Sequence, residues 1–426
     1  MTGTALWALR PWTPRADDPP QCSDTLVVGG GLTGLIAALE LQSRGASVTV
    51  LEAGQAGAGA SGRAFGSLAL GCTASPGALT KRYGPEQAVR IWRESSNAVH
   101  VCLQYLSEWG VRADLHRAGH VRVAVRRGQE DEIRAQFEQW RRLLPHEELS
   151  LATGDELAAE FPGAGFRLGL VDRASASLDP YRLLGELVTR FQDRGGRFVE
   201  HTPVTRITRA GDRFTVLHRR GRTAADKVLV ATDGHTGDLL PWLGRRVYPV
   251  GSYMIATAPL PPGLRDAFSR RTVTTADVRK NYFRVTGEGR LVFGGRLDLA
   301  VDVPPARIEA RLRRAMLSRF PALRDIGVTH AWGGRLGFTF DQVPHVGTRD
   351  GVHYAVGYCG RGLPMSVVLG RLMAHRALDE KTASAFGDGP FPARWYFRST
   401  PWFVPLVAGA HRVRDLAHRR RGWERA

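Results

Sequence analysis

Lysine is almost missing from this chain. Lys81, Lys227, Lys280 and Lys381 are the only four among 59 basic residues, so arginine carries nearly all the positive charge. The formal net charge of +18 invites a polyanion-binding reading. The arginines are spread along the whole chain, however, with one dense cluster at Arg412, Arg414, Arg419, Arg420, Arg421 and Arg425. No recognition helix, zinc finger or aromatic RNA-binding motif accompanies them, which leaves only salt-dependent, nonspecific contact and argues against a specific nucleic-acid partner. Cysteine is equally sparse. Cys22, Cys72, Cys102 and Cys359 form no C-x-x-C pair and no Cys/His spacing for zinc, so no metal site and no disulfide framework is expected. Their simplest home is a reducing cytoplasm. Long apolar runs are absent too, and nothing approaches the roughly 20 residues of a membrane span. Residues 1–20 hold Trp7, Trp12 and four prolines but no basic-then-apolar signal pattern, and read as an extended arm on the surface.

What is present begins at Asp24. The stretch Thr25-Leu26-Val27-Val28 reads as a strand, followed by G-x-G-x-x-G at Gly29, Gly31 and Gly34 and then by an apolar-periodic helix. A second strand, Val48 to Leu51, ends in Glu52, 21 residues beyond Gly31. The first glycine permits the tight turn, the second lets backbone approach a pyrophosphate, and the third lets helix pack on strand. The helix N-terminus offers free N–H groups and partial positive charge to phosphates. Glu52 stands where a carboxylate takes ribose hydroxyls. A lone glycine motif is weak evidence, but this context makes it strong: the chain binds a dinucleotide.

The segment Glu52-Ala53-Gly54 through Ala60-Ser61-Gly62-Arg63-Ala64-Phe65-Gly66 resembles the loop after the second strand in FAD-dependent oxidoreductases of the D-amino-acid oxidase superfamily, and within it the γ-glutamylputrescine oxidase-like amine oxidases. Their loop usually reads Ala-Ser-Gly-Arg-Asn-Gly-Gly, so Ala64 and Phe65 depart from it. A second block agrees. Asp179 as N-cap and Pro180 open a helix, Val204 falls at the start of a strand whose backbone meets the adenine in relatives, and Ala231-Thr232-Asp233-Gly234 matches a turn beneath the dinucleotide, with Asp233 a departure. A third block runs from Trp332 through Thr339-Phe340-Asp341, Pro344 and Gly347 to Tyr354-Ala355-Val356-Gly357-Tyr358-Cys359-Gly360-Arg361-Gly362-Leu363. The resemblance implies a helix after this last turn that aims amides at the flavin C2 carbonyl, with Arg361 in place of the usual His as a permanent cation there. The cofactor positions implied are Gly29, Gly31, Leu32, Thr33, Gly34, Glu52, Ala53, Ala60, Ser61, Gly62, Arg63, Val204, Ala231, Thr232, Gly357, Gly360, Arg361, Gly362 and Leu363. Relatives that attach flavin covalently use a Cys or His. This chain reads Arg335-Leu336-Gly337 at the Cys position and has no His in the 60–70 loop, so noncovalent FAD is expected.

The fold implied is α/β: a Rossmann-type FAD-binding domain interleaved with a second α+β substrate domain on a mostly antiparallel sheet. The expected partition is 21–84, 150–242 and 335–385 for FAD, 85–149 and 243–334 for substrate, with 1–20 the arm and 386–426 a basic tail. Periodicity predicts a helix after Pro85, strand-like alternation over 111–126, a helix over 129–143 and another over 305–320.

Flavoenzymes of this kind take hydride from the carbon bearing a neutral amine, leaving an imine that water hydrolyses, and need no dedicated base. Of the scattered histidines, His345 sits by a proline turn and reads as structural. Relatives present a Tyr and often an Arg from the second sheet. Tyr282 and Arg284 share one face of the strand Asn281 to Val285 and are expected to hold an acidic amine; with Arg361 they are the candidate catalytic residues. Oxygen is the expected acceptor. Two other readings remain: a flavin dehydrogenase of the same fold that passes electrons to a quinone or protein, and a nucleotide-binding scaffold without turnover. The amine and the oligomeric state stay open.

Overall fold

A computed structural model describes residues 3–9, 12–277, 280–296, 299–387, 389–398, 401–407 and 409. The arginine cluster from Arg412 onward lies outside the described residues. The first sheet is centred on β1 (Cys22–Val28). It pairs in parallel with β2 (Val48–Leu51) on one side and with Gly221–Val230 on the other. Arg197–Val199 extends the sheet beyond β2 and Val352–Val356 beyond Gly221–Val230, both in parallel. Buried parallel strands need no alternation, and Leu26-Val27-Val28 is an unbroken apolar run with every side chain buried.

Helix α1 (Leu32–Gln42) is buried at every residue from Leu32 to Leu41. A helix apolar all round lies between two layers, and α1 lies between the sheet and the helix Gly362–Ala377. Its one buried acid, Glu40, pairs with Arg44 at 3.2 Å and with Arg371 at 3.4 Å. Gly34 sets how closely helix and strand approach: a Cβ there would lie 2.1 Å from the carbonyl oxygen of Gly29.

The second sheet runs Val328–Thr339, Val247–Pro259, Arg290–Gly295, Asn281–Val285, Thr272–Thr275, His120–Ala124, Leu168–Asp172, Leu149–Thr153. Its pairings are antiparallel except Thr272–Thr275 with His120–Ala124. Alternation sorts the two faces. Phe283, Phe293, Ile255 and Ala331 join a core that includes Ile308, Leu312 and Met316 of the helix Pro305–Leu317. The opposite face, with Tyr282, Met254 and Trp332, looks toward the first sheet's side of the molecule.

Four placements differ from the sequence reading. Leu149–Thr153 and Leu168–Asp172, expected in the dinucleotide-binding part, hydrogen-bond into the second sheet. The helix Pro85–Glu108, expected in the second domain, packs on the helices Pro76–Tyr83 and Gly362–Ala377. Both outcomes follow from where partners lie in space, which periodicity does not report. Over 111–126 only His120–Ala124 is a strand; the stretch before it runs beside residues 175–179, with a single bridge from His116 to Ser177. The arm is not superficial: Ala5, Leu6 and Trp7 are buried, and the Trp7 indole N–H donates to the Ala64 carbonyl at 3.0 Å.

Candidate active site

A single cavity of about 1340 Å³ joins the two halves, larger than the roughly 300–1,000 Å³ of an ordinary small-ligand pocket. At one end lie Glu52, Ala53, Val204, Ala231 and Thr232; Gly29, Gly31, Leu32 and Thr33 follow; Ala60, Ser61 and Arg63 continue the wall. The Glu52 carboxylate accepts from Gly30 N at 2.8 Å and from Gly54 N at 2.9 Å, which fixes the glycine turn to the end of β2. Ser61 Oγ accepts from Leu32 N at 3.0 Å. No acid sits in the first turn of α1, so its positive end faces the cavity without a resident counter-charge. The stretch Ala60–Arg63, expected as a loop, is one helical turn. Arg63 holds it in place: Nε donates to Ala58 O at 2.8 Å and Nη1 to Gly333 O at 3.1 Å, across to the second sheet. Gly34, Gly62 and Gly357 act by packing and do not line the cavity.

Asp233, a departure in sequence, has a clear task. At φ 43° its carboxylate accepts from Gly337 N at 2.9 Å and Gly357 N at 2.8 Å, tying three cavity-wall segments together. Only an Asp, Asn or Gly tolerates that backbone easily, and only a carboxylate offers two acceptors.

The other end of the cavity is the inner face of the second sheet. One rung crosses it: Trp332, Met254, Gly294, Tyr282, Thr274 and Arg122 oppose one another in turn. Gly294 leaves room for the Tyr282 ring, which would lie 2.1 Å from a Cβ there. Tyr282 shares a hydrogen bond with Ser252 Oγ at 2.7 Å and packs edge-on against Phe65 at 4.8 Å. Phe65, standing where relatives have glycine, therefore narrows the cavity beside Tyr282.

Arg284 is not where the clamp needs it. It shares Tyr282's face, as alternation requires, but two residues along that face the cavity has ended. Arg284 is 2% exposed and does not line the cavity. Nε donates to Phe65 O at 3.0 Å and Nη2 to Leu178 O at 2.8 Å, with the guanidinium over the Trp7 ring at 4.9 Å. Burial pushes its pKa down to about 10. Its hydrogen bonds go to backbone carbonyls, with Asp179 and Asp114 near enough to favour its charge, so it locks the 65–66 turn and the arm to the sheet.

Arg361 does line the cavity, as N-cap of the helix Gly362–Ala377, with Gly360, Gly362 and Leu363. Burial lowers its pKa; Asp172 and Cys72 oppose that, and Arg122 and Arg296 reinforce it. Among the cavity residues that escaped the sequence reading are four basic ones: His120, Arg122, Lys280 and Arg296. His120 donates to or accepts from Thr272 Oγ1 at 2.8 Å, and burial, then Arg361 and Arg122, push it down to about 3, so its imidazole is neutral. The signal that was available was period two: Lys280 and Arg296 lie two residues from Tyr282 and Gly294. Cys72 also faces the cavity, and burial pushes its thiol up to about 11, so it is no thiolate. The buried pair His345 and Asp341, 2.9 Å apart, lies outside the cavity, with Tyr83 donating to the same carboxylate at 2.5 Å.

The donor set fits FAD. The uncapped positive helix end and the Glu52-anchored turn suit a dinucleotide, and the cavity continues past them to a wall of Tyr282, Met254 and Arg361, giving a flavin ring a place that a simple nucleotide would leave empty. Fold and site thus define a flavin-dependent oxidoreductase. The profile of the family described as FAD dependent oxidoreductase (DAO) matches residues 24–376, and the chain belongs to that family. It is 28% identical to a Rhizobium meliloti (strain 1021) protein named probable oxidoreductase OrdL, over 90% of each chain. It is also 28% identical to gamma-glutamylputrescine oxidoreductase of Escherichia coli (strain K12), over 92% of each. Among solved structures, glycine oxidase from Geobacillus kaustophilus superposes with a TM-score of 0.74 at 21% identity, covering 89% of this chain and all of that one. Among the described residues no helix is long and apolar enough to cross a membrane, and no group of side chains is arranged to hold a metal.

Proposed function

We propose that the chain oxidises a primary or secondary amine, an amino acid or an N-substituted amine, to an imine that water then hydrolyses. The observation that carries this reading is the single cavity in which the dinucleotide cradle opens directly onto the inner face of the second sheet. Similarity to an E. coli gamma-glutamylputrescine oxidoreductase over nearly the whole chain supports it. When bound, FAD supplies the two-electron acceptor for the hydride. The remaining work falls to the protein. Glu52, Ala53, Ser61 and the amides of Gly31 to Thr33 would hold the cofactor, without a covalent link. Tyr282, fixed by Ser252 and Phe65, shapes the substrate wall. Trp92, Trp140 and Met254 give that end apolar surface that excludes water. Neutral His120 does not compete with the amine for a proton-bound state.

The acceptor we infer is oxygen, and the compartment a reducing one such as the cytoplasm, given four cysteines that are all unpaired. Anaerobic titration with a panel of amines and N-methyl amino acids tests the reaction: the flavin absorbance bleaches with the substrate and with no other compound. A flavin that no amine reduces overturns the reading. Comparing reoxidation by air and by a soluble quinone then decides the acceptor.

A further inference from the structure

The substrate end of the cavity carries more positive charge than the fold uses. Arg122 is matched by Glu132 at 2.6 Å, and Arg335 by Asp302 at 2.8 Å. Lys280, Arg296 and Arg361 line the same cavity. Among the described residues none of these three side chains has a hydrogen-bond partner or a carboxylate within ion-pair distance; the Arg296 guanidinium lies over the Phe338 ring at 4.9 Å.

Register brings two of them together. Tyr282 pairs with Gly294 and Asn281 with Gly295, so the next rung, just past both strand ends, sets Lys280 opposite Arg296. Tyr253 pairs with Gly295, which puts Ser252 on the other side of Arg296. Residues opposed in this way have Cβ atoms about 4.5–5.5 Å apart, and like charges so placed repel. Burial, then Arg122, Arg296 and Arg361, push the Lys280 ammonium down to about 7 against the pull of Glu132. Asp172 acts on Arg361 and not on Lys280 or Arg296. It accepts from Ser175 N at 2.8 Å, and burial pushes its carboxyl up to about 6. An anion between them turns the repulsion into two charge-assisted hydrogen bonds.

The geometry points to an anion subsite formed by Lys280 and Arg296, with Ser252 beside them, that holds a carboxylate on the amine substrate. The inference rests on the amine-oxidising reading and gives it a substrate class: amines that carry an acidic group. A dicationic polyamine would meet Arg296 and Arg361, neither within ion-pair distance of a carboxylate, and be repelled. The subsite also replaces Arg284 as the acid-recognising element, moving that role to residues that reach the cavity.

The test reads binding without turnover. FAD-loaded protein is titrated calorimetrically with glutarate, a dicarboxylate with no amine to oxidise. Glutarate should bind, and Lys280→Met and Arg296→Met should each weaken it about tenfold or more, the effect of losing a hydrogen bond to a charged group. Lys280→Arg should restore most of the affinity. Inorganic phosphate is titrated alongside, and phosphate binding tighter than glutarate overturns the carboxylate assignment. No glutarate binding, or equal binding to parent and variants, overturns the subsite. Bound-flavin absorbance checks that each variant is folded, and Arg296→Lys and Lys280→Gln carry the test if a Met variant loses FAD. Anaerobic bleaching by glutamate, N-methylglutamate and putrescine separates the two claims. If no amine bleaches the flavin but glutarate binds as described, the amine reading fails and the subsite stands. If putrescine bleaches it and the acidic amines do not, the subsite fails and the amine reading stands.

Discussion

Replacing Arg284 with Met should destabilise the protein far more than it disturbs substrate recognition. The guanidinium donates to Phe65 O at 3.0 Å and to Leu178 O at 2.8 Å, and it is almost fully buried. Each hydrogen bond from a charged donor contributes about 1.5–3 kcal/mol, and methionine leaves both carbonyls buried without a partner. Part of that loss is offset because a buried guanidinium is itself costly to desolvate, so the net destabilisation should be about 2–4 kcal/mol. Urea unfolding of the FAD-loaded protein, followed by intrinsic fluorescence, reads it. With a denaturant slope of about 3 kcal/mol per molar, the midpoint should fall by about 1 M. Lysine should fall between the two, since it keeps the charge and loses the planar fork. An unchanged midpoint with a raised Michaelis constant for acidic amines would refute the reasoning and return Arg284 to the substrate.

Glu52→Gln should weaken FAD binding to the apoprotein about tenfold or more, because one amide oxygen cannot accept from both Gly30 N and Gly54 N; a fluorescence titration measures it, and an unchanged affinity would place the ribose contact elsewhere. Acid precipitation should leave the yellow colour in the supernatant, since the cavity-lining thiols of Cys72 and Cys359 are kept protonated by burial and no His lies in the 60–70 loop; colour in the pellet would show a covalent link. Lys280, with its ammonium held down to about 7, is charged below that pH and neutral above it. A bound carboxylate favours the charged form, so affinity for acidic amines should fall by about tenfold per pH unit above 7 until the complex itself titrates. Arg122, Arg296 and Arg361 stay charged across that range, so Lys280→Arg should flatten the profile; a slope that survives in Lys280→Arg would assign the titration to another group.

Much of the cofactor half was legible because its signals are local. A strand, a glycine turn, a helix and an acid lie within some thirty residues, and the backbone geometry each glycine permits depends on that residue alone. Asp179 and Pro180 were readable for the same reason: capping is settled within one turn, and Asp179 Oδ1 accepts from Tyr181 N and Arg182 N at 3.0 Å each. The strand Asn281–Val285 was legible down to its faces, with Tyr282 and Arg284 on one side and Phe283 on the other.

The substrate half was decided by tertiary structure. Alternation says which side chains share a face, but not where along that face a cavity ends. Tyr282 stands inside the edge, and Arg284, two residues further, lies under the Trp7 arm. Lys280 and Arg296 become neighbours only through the pairing of two strands, and Arg361 joins them only because the helix it caps, packed on α1, begins at the same cavity. Asp233 looked like a mere departure until Gly337 and Gly357, more than a hundred residues away in the chain, brought their amides to its carboxylate. By itself the sequence determined that this chain cradles a dinucleotide, because that chemistry is written in backbone conformation and one strand end. Which charges meet the substrate depended on contacts between segments far apart in the chain, and those exist only once both sheets have closed around one cavity.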